Sequence, residues 1–233
     1  MQEIELKDIK KDYRSNEAYK SLRTNIEFSG DENKVLLFTS CTPNEGKSTV
    51  TISLAQSLAE AGKKVLFIDA DLRKSVLAGR HKVMGQLKGL SHFLSGQAEL
   101  GDVMYRVKNT NMVMIFAGVV PPNPAELLGN KRFESLLVSA RKSYDYVIID
   151  APPLGSVIDA AIIAKQSDAS ILVISANTIS HKFAKVVKDQ LAKSGCPILG
   201  VVLNKVDMAQ NKYYGKYYGK YYGQYGEGSS HEK

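Results

Sequence analysis

Short apolar runs alternate with longer stretches of mixed character along this chain of 233 residues. The runs are Val35–Thr39, Lys64–Asp69, Met112–Phe116, Tyr146–Asp150, Ser170–Ser175 and Ile198–Leu203. They are nearly continuous and rich in β-branched residues, as strands buried on both faces are. Between them, Lys47–Ala61, Asn130–Lys142 and Ser180–Lys193 repeat apolar residues at spacings of three and four, the stripe of an amphipathic helix. Gly62 and Gly195 stand where such helices end. The alternation predicts an α/β fold: one domain with a mostly parallel sheet and helices on both faces.

The two ends break this rhythm. Residues 1–30 form an N-terminal segment in which Ser15 is expected to cap a helix over Glu17 to Phe28, with Ala18, Leu22 and Ile26 along one stripe. That helix precedes the first core strand, so it docks on its own domain or on a neighbour. Residues 31–207 carry the folded domain. Residues 208–233 form a tail containing KYYGKYYGKYYGQYG, a four-residue repeat that holds seven of the twelve tyrosines. Glycine at every fourth position disfavours helix, and no apolar pattern supports a core, so a flexible, exposed tail is expected.

Composition narrows the class. Hydrophobic residues make up 44% and charged residues 24%, which suits a soluble globular protein. The longest apolar run, Met112 to Val120, falls well short of the roughly 18 residues of a membrane span. The opening MQEIELKDIKKDYR is too polar for a signal peptide. Two cysteines, Cys41 and Cys196, suggest no disulfide framework, and the cytoplasm is the natural compartment. The net charge is +7, yet its pairs Lys10-Lys11, Lys63-Lys64 and Lys131-Arg132 are scattered, so nucleic acid is not an expected partner. His81, His92 and His181 lack metal-ligand spacing.

The first chemistry lies between the first strand and the first long helix, where residues 41–48 read CTPNEGKS. A phosphate-binding loop needs backbone N–H groups aimed at one point, a helix N-terminus behind them and a cation. Gly46 lets the backbone approach, Lys47 reaches outer phosphates and the Ser48 hydroxyl can ligate Mg²⁺. Thr42, Pro43, Asn44, Glu45, Gly46, Lys47, Ser48 and Thr49 are therefore the expected nucleotide-binding set. Cys41 replaces the first glycine of G-x-x-x-x-G-K-[ST], and the strand–loop–helix context compensates for it. Cys41 reads as a small residue that fits, with oxidation sensitivity as the alternative.

Carboxylates follow at two further strand ends. VLFIDAD places Asp69 at the end of a buried strand and Asp71 two residues on, and YVIID ends in Asp150. The carboxyl edge of a parallel sheet is where ligands bind. Three carboxylates can thus converge beside Lys47 and Ser48, where Mg²⁺ takes one or two of them and a spare one accepts a proton.

CTPNEGKST, VLFIDADLR and YVIIDAPP resemble the Walker A, Walker A′ and Walker B motifs of the bacterial tyrosine kinases. EAYKSLRTNI, AGVVPPNPAELL and the tyrosine-rich tail are similar to further blocks of that family, so the resemblance covers nearly the whole chain. It implies an ATP-dependent, Mg²⁺-dependent autokinase of capsule and exopolysaccharide systems, with Lys47, Asp69, Asp71 and Asp150 as catalytic residues. Lys47 would hold phosphates, Ser48, Asp71 and Asp150 would serve Mg²⁺, and Asp69 would be the base. Tyr213, Tyr214, Tyr217, Tyr218, Tyr221, Tyr222 and Tyr225 would be phosphoacceptors. The resemblance further implies a homo-oligomeric ring, an octamer in the family, in which each tail enters a neighbour's site. Its interface pattern E-x-x-R-x-x-R is here Glu17, Lys20 and Arg23, so a lysine replaces a fork-shaped guanidinium. A membrane-anchored activator that recruits the kinase to the inner face of the membrane, and a phosphotyrosine phosphatase, complete the implied partners. Phosphates on the tail, each adding about −1.5 to −2 charges, would make neighbouring tails repel and loosen the ring.

Two other function classes compete. One is a nucleotide-dependent assembly switch; the other is a positioning ATPase like the partition and cell-division proteins. Those ATPases carry a signature lysine early in the loop, where this chain has Thr42. Asn204 to Asp207 spells NKVD, a form used to read guanine, whereas the family implies adenine beside Asn204.

Overall fold

The computed structural model describes residues 1–6, 13–80 and 87–207. The structural elements within them run β1 (Gln2–Ile4), α1 (Tyr13–Glu27), β2 (Val35–Ser40), α2 (Lys47–Glu60), β3 (Val65–Asp69), α3 (Leu77–Arg80), α4 (Leu90–Leu94), α5 (Leu100–Val103), β4 (Tyr105–Val107), β5 (Met112–Ile115), α6 (Pro124–Leu128), α7 (Lys131–Ser143), β6 (Tyr146–Asp150), α8 (Asp159–Ala164), β7 (Ala169–Ser175), α9 (His181–Ala192) and β8 (Ile198–Asn204). Their helix boundaries follow local chemistry. The Asn130 side chain accepts from Phe133 N at 3.0 Å to cap α7, and Ser180 Oγ accepts from Phe183 N at 3.2 Å to cap α9. Gly62 and Gly195 adopt positive φ, 86° and 80°, just past the ends of α2 and α9.

The described strands form one eight-stranded sheet in the order β1-β4-β5-β3-β6-β2-β7-β8. Every neighbouring pair is parallel except β4 and β5. Alternate strand residues feed two cores. Val35, Leu37, Leu66, Ile68, Val147 and Ile149 join a layer covered by α4 to α9. Leu36, Phe38, Val65, Phe67 and Ile148 join a layer covered by α1 to α3. Burial on both faces explains why these strands read as continuous apolar runs. Each fully buried Phe or Leu contributes roughly 2 kcal/mol.

β6 lies between β2 and β3, although it follows both in sequence. The connections leaving β2, β6 and β3 therefore stand side by side at one carboxyl edge. Main-chain bonds tie them: Ala70 N donates to Asp150 O at 2.9 Å, and Ala151 N to Phe38 O at 3.0 Å. Gly155 then closes on the loop, since a Cβ there would lie 2.2 Å from the Cys41 carbonyl oxygen.

Two expectations are corrected. Ser15 is the third residue of α1, inside the helix and not its cap. The packing stripe of α1 is Tyr19, Leu22 and Ile26, with Ala18 exposed. The helix docks on its own domain: Arg23 Nη1 donates to Ser57 O at 2.8 Å on α2.

Candidate active site

The loop after β2 is shaped by its own residues. Asn44 and Gly46 take φ of 66° and 85°, and a left-handed turn of this kind gathers backbone N–H groups into a concavity for an anion. Gly46 also precedes α2 with no side-chain cap on the helix, which leaves that N-terminus to a ligand. Glu45 is buried, at 2% exposure. Its Oε2 accepts from Cys41 N at 2.7 Å and Thr42 N at 2.8 Å, and its Oε1 from Ser175 N at 3.3 Å. Within the expected nucleotide set, Glu45 thus acts through its side chain as an internal strut, and the Thr42 amide is spent on it.

Lys47 begins α2 and points to the adjacent strand end. Its ammonium makes an ion pair with Asp150 Oδ1, the two side chains being 7% and 1% exposed. Lys47 Nζ also lies 3.4 Å from Ser48 Oγ. Asp69 stands in register with Asp150 on β3 and is 1% exposed. Burial first, and then the neighbouring Asp150 carboxylate, push the Asp69 carboxyl up to about 7, against the pull of the Ser75 hydroxyl bonded to Oδ2 and of Lys47. Asp71 turns the chain that follows: its Oδ1 accepts from Arg73 N at 3.2 Å and Lys74 N at 2.9 Å. Lys47, Ser48, Asp69, Asp71 and Asp150 all line one cleft of about 270 Å³.

The geometry suits Mg²⁺ held with a nucleotide. Among the described residues no group of three or more His, Cys, Asp or Glu side chains gathers as a ready metal cage. Mg²⁺ with a nucleotide draws most of its shell from phosphates and water, so Ser48 with one or two of Asp71 and Asp150 is the fitting donor set.

Several groups escaped sequence reasoning. Arg73 Nε and Nη2 donate to Asp159 Oδ2 and Oδ1 at 2.7 and 2.9 Å, and Asp159 is fully buried at the start of α8. The signal was there: a lone aspartate in the apolar stretch around Ile158 and Ala160 needs a cation. Arg80 also lines the cleft and reaches Thr49 Oγ1 at 3.4 Å. Asn204 Nδ2 donates to Glu45 O at 2.9 Å, so this residue does stand against the loop. In α1, Lys20 pairs with Glu17 at 2.7 Å while Arg23 is turned onto α2. The tail tyrosines fall outside the described residues, as does His81. No helix of the described residues is long and apolar enough to cross a membrane.

A strand–loop–helix with a cationic tip, two strand-end carboxylates in register and a parallel sheet covered on both faces define a phosphate-loop nucleotide-binding domain. The family model described as an AAA domain matches residues 44–193. The chain is 46% identical over 200 residues, 86% of each chain, to the tyrosine-protein kinase CpsD of Streptococcus agalactiae. It belongs to the bacterial tyrosine-protein kinase family. Its fold is like that of the kinase domain of the Escherichia coli tyrosine kinase Etk, with a TM-score of 0.77, 35% identity and coverage of 83% and 78% of the two chains. The septum site-determining protein MinD of Pyrococcus horikoshii, complexed with Mg-ADP, is a more distant likeness, at TM-score 0.62 and 28% identity over 73% and 69% of the chains.

Proposed function

We propose that this chain is an ATP-dependent protein-tyrosine kinase. Its acceptors are its own C-terminal tyrosines, presented in trans within an oligomer, and its activity governs capsular or exopolysaccharide synthesis and export. The observation that carries the reading is Asp69: a buried carboxyl raised to about 7, held beside the Lys47–Asp150 pair at the mouth of a phosphate loop. A carboxylate so placed can accept the proton of a tyrosine hydroxyl as the phosphoryl group is transferred. Mg-ATP supplies the transferable phosphoryl group. The Lys47 ammonium, tethered by Asp150, stands where it can turn to the outer phosphates, and the uncapped N-terminus of α2 begins at the same residue.

Asn204 bears on the base. Its Nδ2 gives one of its two N–H groups to the Glu45 carbonyl, which leaves the second N–H and Oδ1 for a base edge, and the choice of adenine rests on the family resemblance. The finer parts of the reading rest on sequence and resemblance: the seven tyrosines, contact between neighbouring subunits of a ring through Glu17, Lys20 and Arg23, a membrane-anchored activator that brings the kinase to the membrane, and a phosphotyrosine phosphatase that resets it.

Incubation of the full chain with Mg-ATP, followed by mass spectrometry of residues 208–233, is the test. Phosphotyrosine at Tyr213 to Tyr225 that disappears in Lys47→Met is expected. A tail without phosphotyrosine, with the activator's cytoplasmic segment present, would defeat the proposal. Mixing Lys47→Met chains with tail-truncated active chains separates transfer between subunits from transfer within one.

A further inference from the structure

The phosphate loop is gripped from outside by the turn that ends β8. A loop whose N–H groups point inward to an anion must point carbonyls outward, and those carbonyls need donors. Two outward carbonyls, Asn44 O and Glu45 O, have them: Lys205 Nζ at 2.7 Å and Asn204 Nδ2 at 2.9 Å. The contact is close. A Cβ on Gly46 would lie 2.1 Å from Asn204 Nδ2, so that residue is held to glycine by β8 as well as by its φ of 85°.

Lys205 is the less obvious member. Its backbone φ is 56°, in the left-handed region, where a glycine would sit without strain and a lysine does not. Strain retained beside a functional loop points to a side chain that is needed there. The turn is also fixed at its other side, where Ala176 N donates to Asn204 O at 2.8 Å and Ser175 N reaches Glu45 Oε1. The ammonium has a second effect: it polarises the Asn44–Glu45 peptide through its carbonyl, which strengthens the N–H of the same peptide as a donor to an anion.

We infer that Lys205 is a positioning residue for the phosphate loop. It holds the Asn44–Glu45 peptide in its anion-binding orientation from outside the cleft, and touches neither base nor phosphate. The inference rests on the nucleotide-binding part of the proposed function and not on tyrosine as the acceptor. It gives the lysine of the NKVD sequence a task at the loop in place of guanine recognition.

Calorimetric titration of the full chain with MgADP, alongside thermal melts without nucleotide, tests it. Lys205→Gly relieves the backbone strain and removes the ammonium; it should bind MgADP about tenfold more weakly while melting at the same temperature or higher. Lys205→Arg keeps a cation of similar reach and should restore binding to within about threefold. Unchanged MgADP affinity in Lys205→Gly overturns the inference. So does a loss of affinity that follows a lowered melting temperature and is equally large in Lys205→Arg, since that marks a purely structural residue. If the unaltered chain fails to bind MgADP, the functional reading itself falls, so the two failures are distinguishable.

Discussion

Asp69 and Asp150 stand opposite one another in register on the adjacent parallel strands β3 and β6. Two buried carboxylates side by side cannot both hold charge cheaply, and the site resolves the conflict by pairing one and protonating the other. Lys47 is given to Asp150, so Asp69 keeps its proton to higher pH. The same arrangement that makes Asp69 a base makes it a liability to the empty fold.

That liability is measurable. Asp69 shifts from 3.8 to about 7 on folding. Between those values the folded state binds more protons than the unfolded state, so this group's contribution is fully present below about pH 4 and is lost as pH rises through about 7. Asp69→Asn should therefore raise the melting temperature at pH 8 in EDTA by at least about 2 °C, and the gain should be clearly smaller at pH 5 and vanish only below about pH 4. The same variant should give no tail phosphotyrosine. Thermal melts across pH check the first outcome; equal gains at both pH values would refute the assignment of the raised carboxyl to Asp69.

The buried pair of Lys47 and Asp150 gives a second prediction. Removing one member leaves the other charged, buried and unpartnered, and Lys47→Met in addition withdraws the cation that offsets Asp69. Each of Lys47→Met and Asp150→Ala should cost about 3 kcal/mol or more. The double variant should cost less than the sum by about 1–3 kcal/mol, because the partners are in contact. Urea titration of the four proteins yields the cycle. Strict additivity would show that the ion pair does not exist in solution.

Arg73 and Asp159 join the walls of the cleft to the core under α8. The bond is two-pronged, and Asp159 has no exposure to water. Arg73→Lys should not rescue the loss seen in Arg73→Ala, because an ammonium cannot reproduce the fork. Both should destabilise by about 2–3 kcal/mol, and ATP turnover should fall as the segment Asp71–Ser75 loosens. Near-wild-type stability in Arg73→Lys would mean that charge alone suffices.

The sequence and the structure agree where signals are redundant. β2, β3, β6 and β7 read as strands because both faces bury apolar side chains, and strand-end placement is enough to gather Lys47, Ser48, Asp69, Asp71 and Asp150 at one edge of the sheet. Short edge elements gave no such signal. β1 is Gln2–Ile4 with only Ile4 buried, and β4 is three residues with exposed Arg106 at its centre. Neither is long enough for a period to emerge. Ser15 misled because a serine inside a helix looks like a cap when neighbours are ignored. The roles of Glu45 and Lys205 were invisible for another reason: both bond to main-chain groups of the loop, and main-chain partners leave no trace in residue type.

The loop cysteine supplies the last prediction. Cys41 occupies the place of the loop's usual first glycine, and its side chain is fully buried. Burial, with the Glu45 carboxylate adding to it, pushes the Cys41 thiol up to about 12. Burial raises Cys196 as well. A thiol reacts as thiolate, so at pH 8 neither cysteine should be alkylated by iodoacetamide in the folded protein, and both should react once it is unfolded in guanidinium. Mass spectrometry of the intact chain counts the adducts. Because Glu45 holds the amides of Cys41 and Thr42 on the other side of this residue, Glu45→Gln should leave the thiol buried yet weaken those two bonds, lowering nucleotide affinity without opening Cys41 to the reagent. Rapid modification of Cys41 in the folded, unaltered chain would instead show that the loop opens to solvent, and would restore oxidation sensitivity as a property of this site.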